Sequence, residues 1–194
     1  MSKWPNEIGT DVFGLTMPSK QLAQLEWTAE EAAANDADAI MTSKAGKTSK
    51  QTISSGLENP PCVRTLTVTA GGTAGDIKAS KVKIIGTNYA DEEISEEFQL
   101  TADTAGTIAG VKAFKTVKSV EIPAQDGTGC TFTVGTGSGL GLPVIFDAAP
   151  LFIATFDGSA DAGAITADDD ELEKNIYTSN SSLNAKAVKL LMAL

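Results

Sequence analysis

The chain has 194 residues and a formal charge of −10, from 25 acidic residues, 15 basic ones and no histidine. That length fits one domain with extensions or two small ones. The acidity repels phosphate, which removes the driving force for sequence-independent nucleic-acid binding and disfavours a membrane surface. Without histidine, Ser–His–Asp and Cys–His catalysis are excluded, and the commonest transition-metal ligand is missing.

Aromatics are only 6% of the chain and 18 glycines punctuate it. Small and β-branched residues with frequent glycine suit many short strands joined by tight turns. The first residues carry no apolar signal core, and no stretch approaches about 18 uninterrupted apolar residues, so synthesis in the cytoplasm is expected.

Residues 1–58 read as an extended N-terminal arm with little regular structure. Trp4, Val12, Phe13, Leu15, Leu22, Leu25 and Trp27 are spread among Pro5, Pro18 and polar residues, with no sustained periodicity. Thr28 and Glu31 have capping-box spacing, and Ala29–Ala34 would propagate a helical turn or two before Asn35, Asp36 and Asp38 weaken it. Ile40–Thr42 and Gln51–Ser54 are candidate short strands.

Pro60-Pro61 marks a boundary, because each ring fixes φ and disfavours helix before it. Residues 59–194 then read as one β-domain. Arg64–Ala70 alternates Thr with Leu66, Val68 and Ala70, the pattern of a half-buried strand. Lys81–Gly86 places Val82 and Ile84 inward; Ile94–Leu100, Phe114–Ile122 and Cys130–Val134 follow. Asp126-Gly127 between the last two predicts a hairpin. Five strands with glycine turns predict an all-β fold, an antiparallel sandwich or small barrel.

Pro143–Phe146 and Leu151–Thr155 are apolar runs suited to core strands. Residues 157–171 form an acidic loop, and Asn175–Asn180 offers another strand. Ala185–Leu194 has helix-favouring residues but also alternation, and is expected to be a closing strand.

No catalytic, cofactor-binding or metal-ligating residue is predicted, and no cofactor. Cys62 and Cys130 are too few and too far apart for a disulfide framework or a zinc site, and read as small buried hydrophobes. Asp91–Glu93 and Glu96-Glu97 read as a solvated turn and a strand edge. Lys44, Lys47 and Lys50, like Lys112, Lys115 and Lys118, read as solvated lysines. Gly135–Gly141 looks like a phosphate loop, yet no helix and no Gly-Lys-Ser/Thr follows, so a flexible connection is expected. Asp157–Asp161 and Asp168–Glu171 offer hard oxygen ligands without Asp-x-Asp-x-Asp-Gly spacing, consistent with weak surface cation binding at most.

Several segments in order carry a resemblance: 60–70 (PPCVRTLTVTA), 75–79, 82–88, 96–101, 113–117, 122–135 (IPAQDGTGCTFTVG) and 140–143, with 173–176 and 182–188 near the end. This set resembles small structural virion proteins of tailed bacteriophages. The resemblance covers about two-thirds of the chain, mostly beyond residue 58, and implies a non-enzymatic protein.

Within a virion, a compact acidic β-protein suits a decoration (cement) protein on the capsid exterior, bridging capsomers. The implied partners are the major capsid protein and the chain itself, a trimer suiting a three-fold position; neither nucleic acid nor membrane is implied. Trp4, Phe13 and Trp27 are the candidate capsid or subunit contacts, since aromatics dominate interface energetics. A neck or tail component and a glycan-binding adhesin are the alternative readings.

Overall fold

The computed structural model describes residues 7–8 and 20–193, with side chains from residue 21 onward. The fold is all-β. In chain order the strands are β1 (Glu7–Ile8), β2 (Lys20–Trp27), β3 (Met41–Ala45), β4 (Gln51–Ile53), β5 (Arg64–Gly72), β6 (Lys81–Thr87), β7 (Glu93–Gln99) and β8 (Gly106–Phe114). The rest are β9 (Thr116–Ile122), β10 (Cys130–Gly141), β11 (Leu151–Phe156), β12 (Ser159–Asp161), β13 (Ala164–Thr166), β14 (Ile176–Thr178) and β15 (Val188–Ala193).

All strand pairs are antiparallel, in three sheets: β4-β9-β6-β7, β13-β14-β10-β5-β8 with β3 also on β10, and β1-β2-β15-β11-β12. The first two sheets enclose one core. Leu66, Val68 and Ala70 of β5, Val82 and Ile84 of β6, Phe98, Val120, Ile122, Phe132 and Val134 fill it. These are the residues whose alternation marks them as inward-facing, because a strand sends successive side chains to opposite faces.

A second core lies between the β2–β15–β11 sheet and the distal end of the six-stranded sheet. Trp27, Leu140, Ala154, Tyr177, Val188, Leu190 and Met192 fill it. The two cores share β10. Its first half is flanked by β5 and β3, its second half by β5 and β14, so β3 and β14 lie end to end along one edge.

Several sequence expectations change. Within residues 20–58 the two expected short strands form, β3 on β10 and β4 on β9, but β2 is an unexpected strand, paired with β15. The Thr28–Glu31 capping box forms, with the Thr28 amide donating to the Glu31 carboxylate at 2.8 Å, but the chain makes only a turn there.

Asp126-Gly127 does not close a hairpin. β9 belongs to the four-stranded sheet and β10 to the six-stranded one, so this segment crosses between layers. The crossing is held by Asp76, which accepts the Gly129 amide at 2.6 Å, and by buried Gln125, which accepts from the Lys78 amide at 3.0 Å. Asp157-Gly158, inside the expected acidic loop, does make a two-residue hairpin between β11 and β12. Both residues have positive φ (51° and 77°), the primed-turn geometry that matches strand twist.

Gly135–Gly141 is a buried strand rather than a flexible link. A Cβ on Gly135 would meet the backbone of Asp36 and Ala37, one on Gly137 the Thr65 hydroxyl, and one on Gly141 the Val63 side chain. The glycines are there because a Cβ has no room: the 36–37 backbone crosses Gly135, and side chains of the adjoining residues 63 and 65 press on the others. The expected Phe114–Ile122 strand forms as β9 from Thr116 on, preceded by the unexpected β8, which ends at Phe114; the chain changes sheets at the single residue Lys115. Residues 143–146 form no strand; Phe146 is buried in a loop, its amide held by the Asn175 side chain at 3.1 Å.

Candidate interaction surfaces

The buried polar groups are spent on architecture. Arg64, the only arginine, is completely buried at the start of β5. It donates to the Gly137 carbonyl on β10 (2.9 Å), the Ala33 carbonyl (3.1 Å) and the Asn35 side chain (2.8 Å). No carboxylate pairs with it among the described residues, so carbonyl dipoles hold the charge, and desolvation pulls its pKa below the ordinary value.

Glu96 and Lys112 depart from the solvated reading. β7 turns Glu96 inward with Ile94 and Phe98, where it is 9% exposed. There it accepts the Val111 amide at 2.6 Å and the Lys112 amide at 3.4 Å. Those amides belong to a bulge in β8, at which the pairing with β5 shifts register between Thr65 and Thr67. Gly110 makes the room, since a Cβ would collide with the Glu96 carboxylate. Lys112 ion-pairs with Glu171 (2.9 Å) and the buried Glu173 (3.0 Å), tying the 3₁₀ turn at Leu172–Lys174 to β8. Burial raises the Glu96 pKa, and the accepted amides and Lys112 only partly oppose it.

Asp157, Asp161, Asp168 and Glu171 of the expected acidic loop are likewise engaged. Asp161 accepts from the Tyr177 hydroxyl, the Ser179 hydroxyl (3.0 Å) and the Asn180 amide (3.1 Å). Asp168 accepts the Glu171 amide at 2.7 Å. Among the described residues, no three acidic or cysteine side chains converge in a geometry that would hold a metal.

The two outward sheet faces differ sharply. On the four-stranded sheet, Lys83 stands directly between Glu97 and Glu121. Ion pairs Lys81–Glu97 (2.7 Å), Lys118–Glu93 (2.9 Å) and Lys50–Glu121 (2.9 Å) complete a charged mosaic. On the β2–β15–β11 sheet, register brings Leu151, Ala193 and Leu22 into one outward row and Ile153, Leu191 and Gln24 into the next. Leu151 is 83% exposed and Ile153 67%; Leu22 and Leu191 are about half as open, at 43% and 37%. A shallow depression of about 570 Å³ adjoins this face, lined by Val144, Ile145, Pro150, Leu151 and Ala193.

Of the three expected contact residues, Trp4 and Phe13 lie outside the described residues. Trp27 is 7% exposed and stacks on Tyr177 at 6.2 Å between ring centroids. That corrects its assignment as a docking anchor: pairing of β2 with β15 turns its side chain into the second core. Its edge borders a groove of about 460 Å³ lined by Pro60, Pro61, Cys62, Tyr89 and Lys115. Cys62 and Cys130 are both free thiols, and burial pushes Cys62 up to about 11, which keeps it protonated and weakly nucleophilic at neutral pH.

The exposed leucines and isoleucines escaped the sequence reading because Leu151–Thr155 is a continuous apolar run, which reads as a strand buried on both faces. The available signal was their odd-numbered spacing, matching Leu191 and Ala193 across β15. The chain matches no protein-family model, no curated protein and no solved structure.

Proposed function

We propose that this chain is a structural component of a tailed-bacteriophage virion, a decoration protein that binds the capsid exterior and reinforces the shell by bridging capsomers. The observation carrying this reading is the ordered set of segments from Pro60 to Pro143 that resembles such virion proteins. Those segments run through β5 to β10, which form most of the first core.

Two physical features support it. The buried charges and amides brace the fold, through Arg64, Glu96, Lys112 and Asp161. The outward sheet faces instead leave side chains free for contact with another protein. Decoration asks for modest contacts repeated over many symmetric copies, which convert weak binding into large avidity. The partner is the major capsid protein, and the role requires no cofactor and no nucleic acid.

The test is image reconstruction of the particle with and without this chain, together with its copy number. On the order of hundreds of copies per particle, lost from the outer capsid surface when the gene is deleted, is the expected result. About six to twelve copies would move the assignment to the neck or tail. Absence from purified particles would overturn it.

A further inference from the structure

We propose that the outward face of the β2–β15–β11 sheet is a self-association surface, occupied by the same face of a second copy of this chain in a two-fold dimer. The inference stands apart from the virion reading.

The face is a continuous apolar strip. Directly opposed residues on neighbouring antiparallel strands have Cβ atoms about 5 Å apart, so Leu22, Ala193 and Leu151 touch in one row and Leu191 and Ile153 in the next. Taking about 200 Å² for a fully exposed Leu or Ile, the four large side chains present roughly 450 Å², the size of the largest and often functional patch on a monomer. A standard interface takes about 800 Å² from each partner, and its centre is more apolar than its rim. The strip therefore has the size of the apolar centre of one such interface, with Gln24, Thr155 and the depression at Val144–Leu151 as rim.

Charge favours a like partner here. The chain carries −10, yet the next row of this face holds one Lys and one Glu, Lys189 and Glu26, paired at 3.1 Å. Two copies can approach through it without opposing net charge. The contrasting sheet shows that the chain can cover an outer face with Lys–Glu ladders where it is solvated.

Symmetry follows from what is missing elsewhere among the described residues. A ring such as a trimer joins two different patches on each subunit, whereas a two-fold dimer uses one patch twice. The other exposed large apolar residues are Tyr89, at the rim of the groove beside Pro60 and Trp27, Val111, alone on β8, and Ile145, which belongs to the adjoining depression. None of these forms a second row of opposed, exposed large apolar side chains. The sheet's β12 edge is also short, at three residues, which favours contact through the face over edge-to-edge pairing there.

Sedimentation velocity and light scattering on the full chain test this. The wild type is expected at twice its 20.0 kDa mass, and Leu151→Asp/Ile153→Asp at the monomer mass, with a dissociation constant weakened by about 100-fold or more. Because both side chains point to solvent in the monomer, the variant should keep the wild-type circular-dichroism spectrum and a cooperative melt, losing only the concentration-dependent part of the midpoint that dimerisation adds. Should it misfold, Leu191→Lys gives the same readout, its stem lying along the sheet with the ammonium in water. Val111→Asp and Phe13→Asp/Leu15→Asp should remain dimeric. A wild type that is monomeric at all concentrations, a dimer surviving in Leu151→Asp/Ile153→Asp, or a dimer lost in Phe13→Asp/Leu15→Asp would each overturn the proposal. A dimer that never associates with particles would uphold it and remove the virion reading.

Discussion

Arg64→Met removes the buried cation while keeping a side chain of similar length. The wild-type guanidinium donates to two carbonyls and one side-chain amide oxygen, on segments far apart in sequence: Ala33 and Asn35 before β3, and Gly137 in the bulge of β10. A hydrogen bond to a charged group contributes about 1.5–3 kcal/mol net, and each acceptor left buried without a donor costs about 1–3 kcal/mol. Desolvation of the guanidinium, visible in its lowered pKa, works in the opposite direction. The orphaned acceptors outweigh that relief, so the expected loss is about 3–5 kcal/mol. Arg64→Lys keeps the charge but reaches fewer of the three acceptors with one ammonium, and should lose about 2 kcal/mol. Urea unfolding with an unchanged m-value measures both losses. Limited proteolysis adds a local readout, because Arg64 and the Thr136 amide, which donates to the Asp36 carbonyl at 2.9 Å, together hold residues 33–37 against β10. Arg64→Met within about 0.5 kcal/mol of wild type, with no new cleavage near those residues, would refute the reasoning.

Glu96 has a folded pKa raised above its ordinary 4.5, so the native state binds more protons than the unfolded chain in the window just above that value. Its contribution to stability therefore falls as pH climbs through that window. Melting curves from pH 4 to 7 should show Glu96→Gln gaining on wild type as pH rises, and parallel curves would contradict this. Gly135→Ala drives a methyl into the Asp36 and Ala37 backbone and should cost about 3 kcal/mol, whereas Gly75→Ala, with nothing within 4 Å, should change stability by about 0.5 kcal/mol at most. Equal unfolding midpoints for the two would count against the crossing described for β10. Cys62, with its thiol pushed up to about 11, should react slowly with a disulfide reagent at pH 7.5 and faster as pH rises toward that value. Rapid labelling of the native protein at neutral pH would rule out its burial.

β5, β6 and β7 were readable because one face of each packs on the core while the other meets water, which imprints period two on the residues. β15 was readable for the same reason, with Val188, Leu190 and Met192 inward. β8 left no such imprint, since most of it is exposed or half-buried and Gly106 and Gly110 interrupt it. The glycines of β10 are a deeper ambiguity: flexible linkers and strands with no room for a Cβ call for the same residue. Of two Asp-Gly pairs only Asp157-Gly158 makes a hairpin, because a turn signal is local while the choice of neighbouring strand is set by the whole sheet. Trp27 looked like a free anchor because its partner strand and its stacking partner Tyr177 lie at the other end of the chain. The apolar strip is visible only once Leu22 is brought beside Ala193 and Leu151.

Register between β2 and β15 also orders events during synthesis. The first core draws on residues 40–134, a continuous stretch whose β3–β10 are all made before β11. The sheet around β15 is closed by Trp27 opposite Val188, so β2 leaves the ribosome well before its neighbour and waits until the whole segment between them has followed. Through that interval the inward faces of β2 and of the second half of β10 have no cover. The first lobe can therefore assemble while translation continues, and the second only after β15 is complete. A nascent chain stalled between the two would display unpaired strand to every identical chain nearby, so its vulnerability lies in the timing of one late strand.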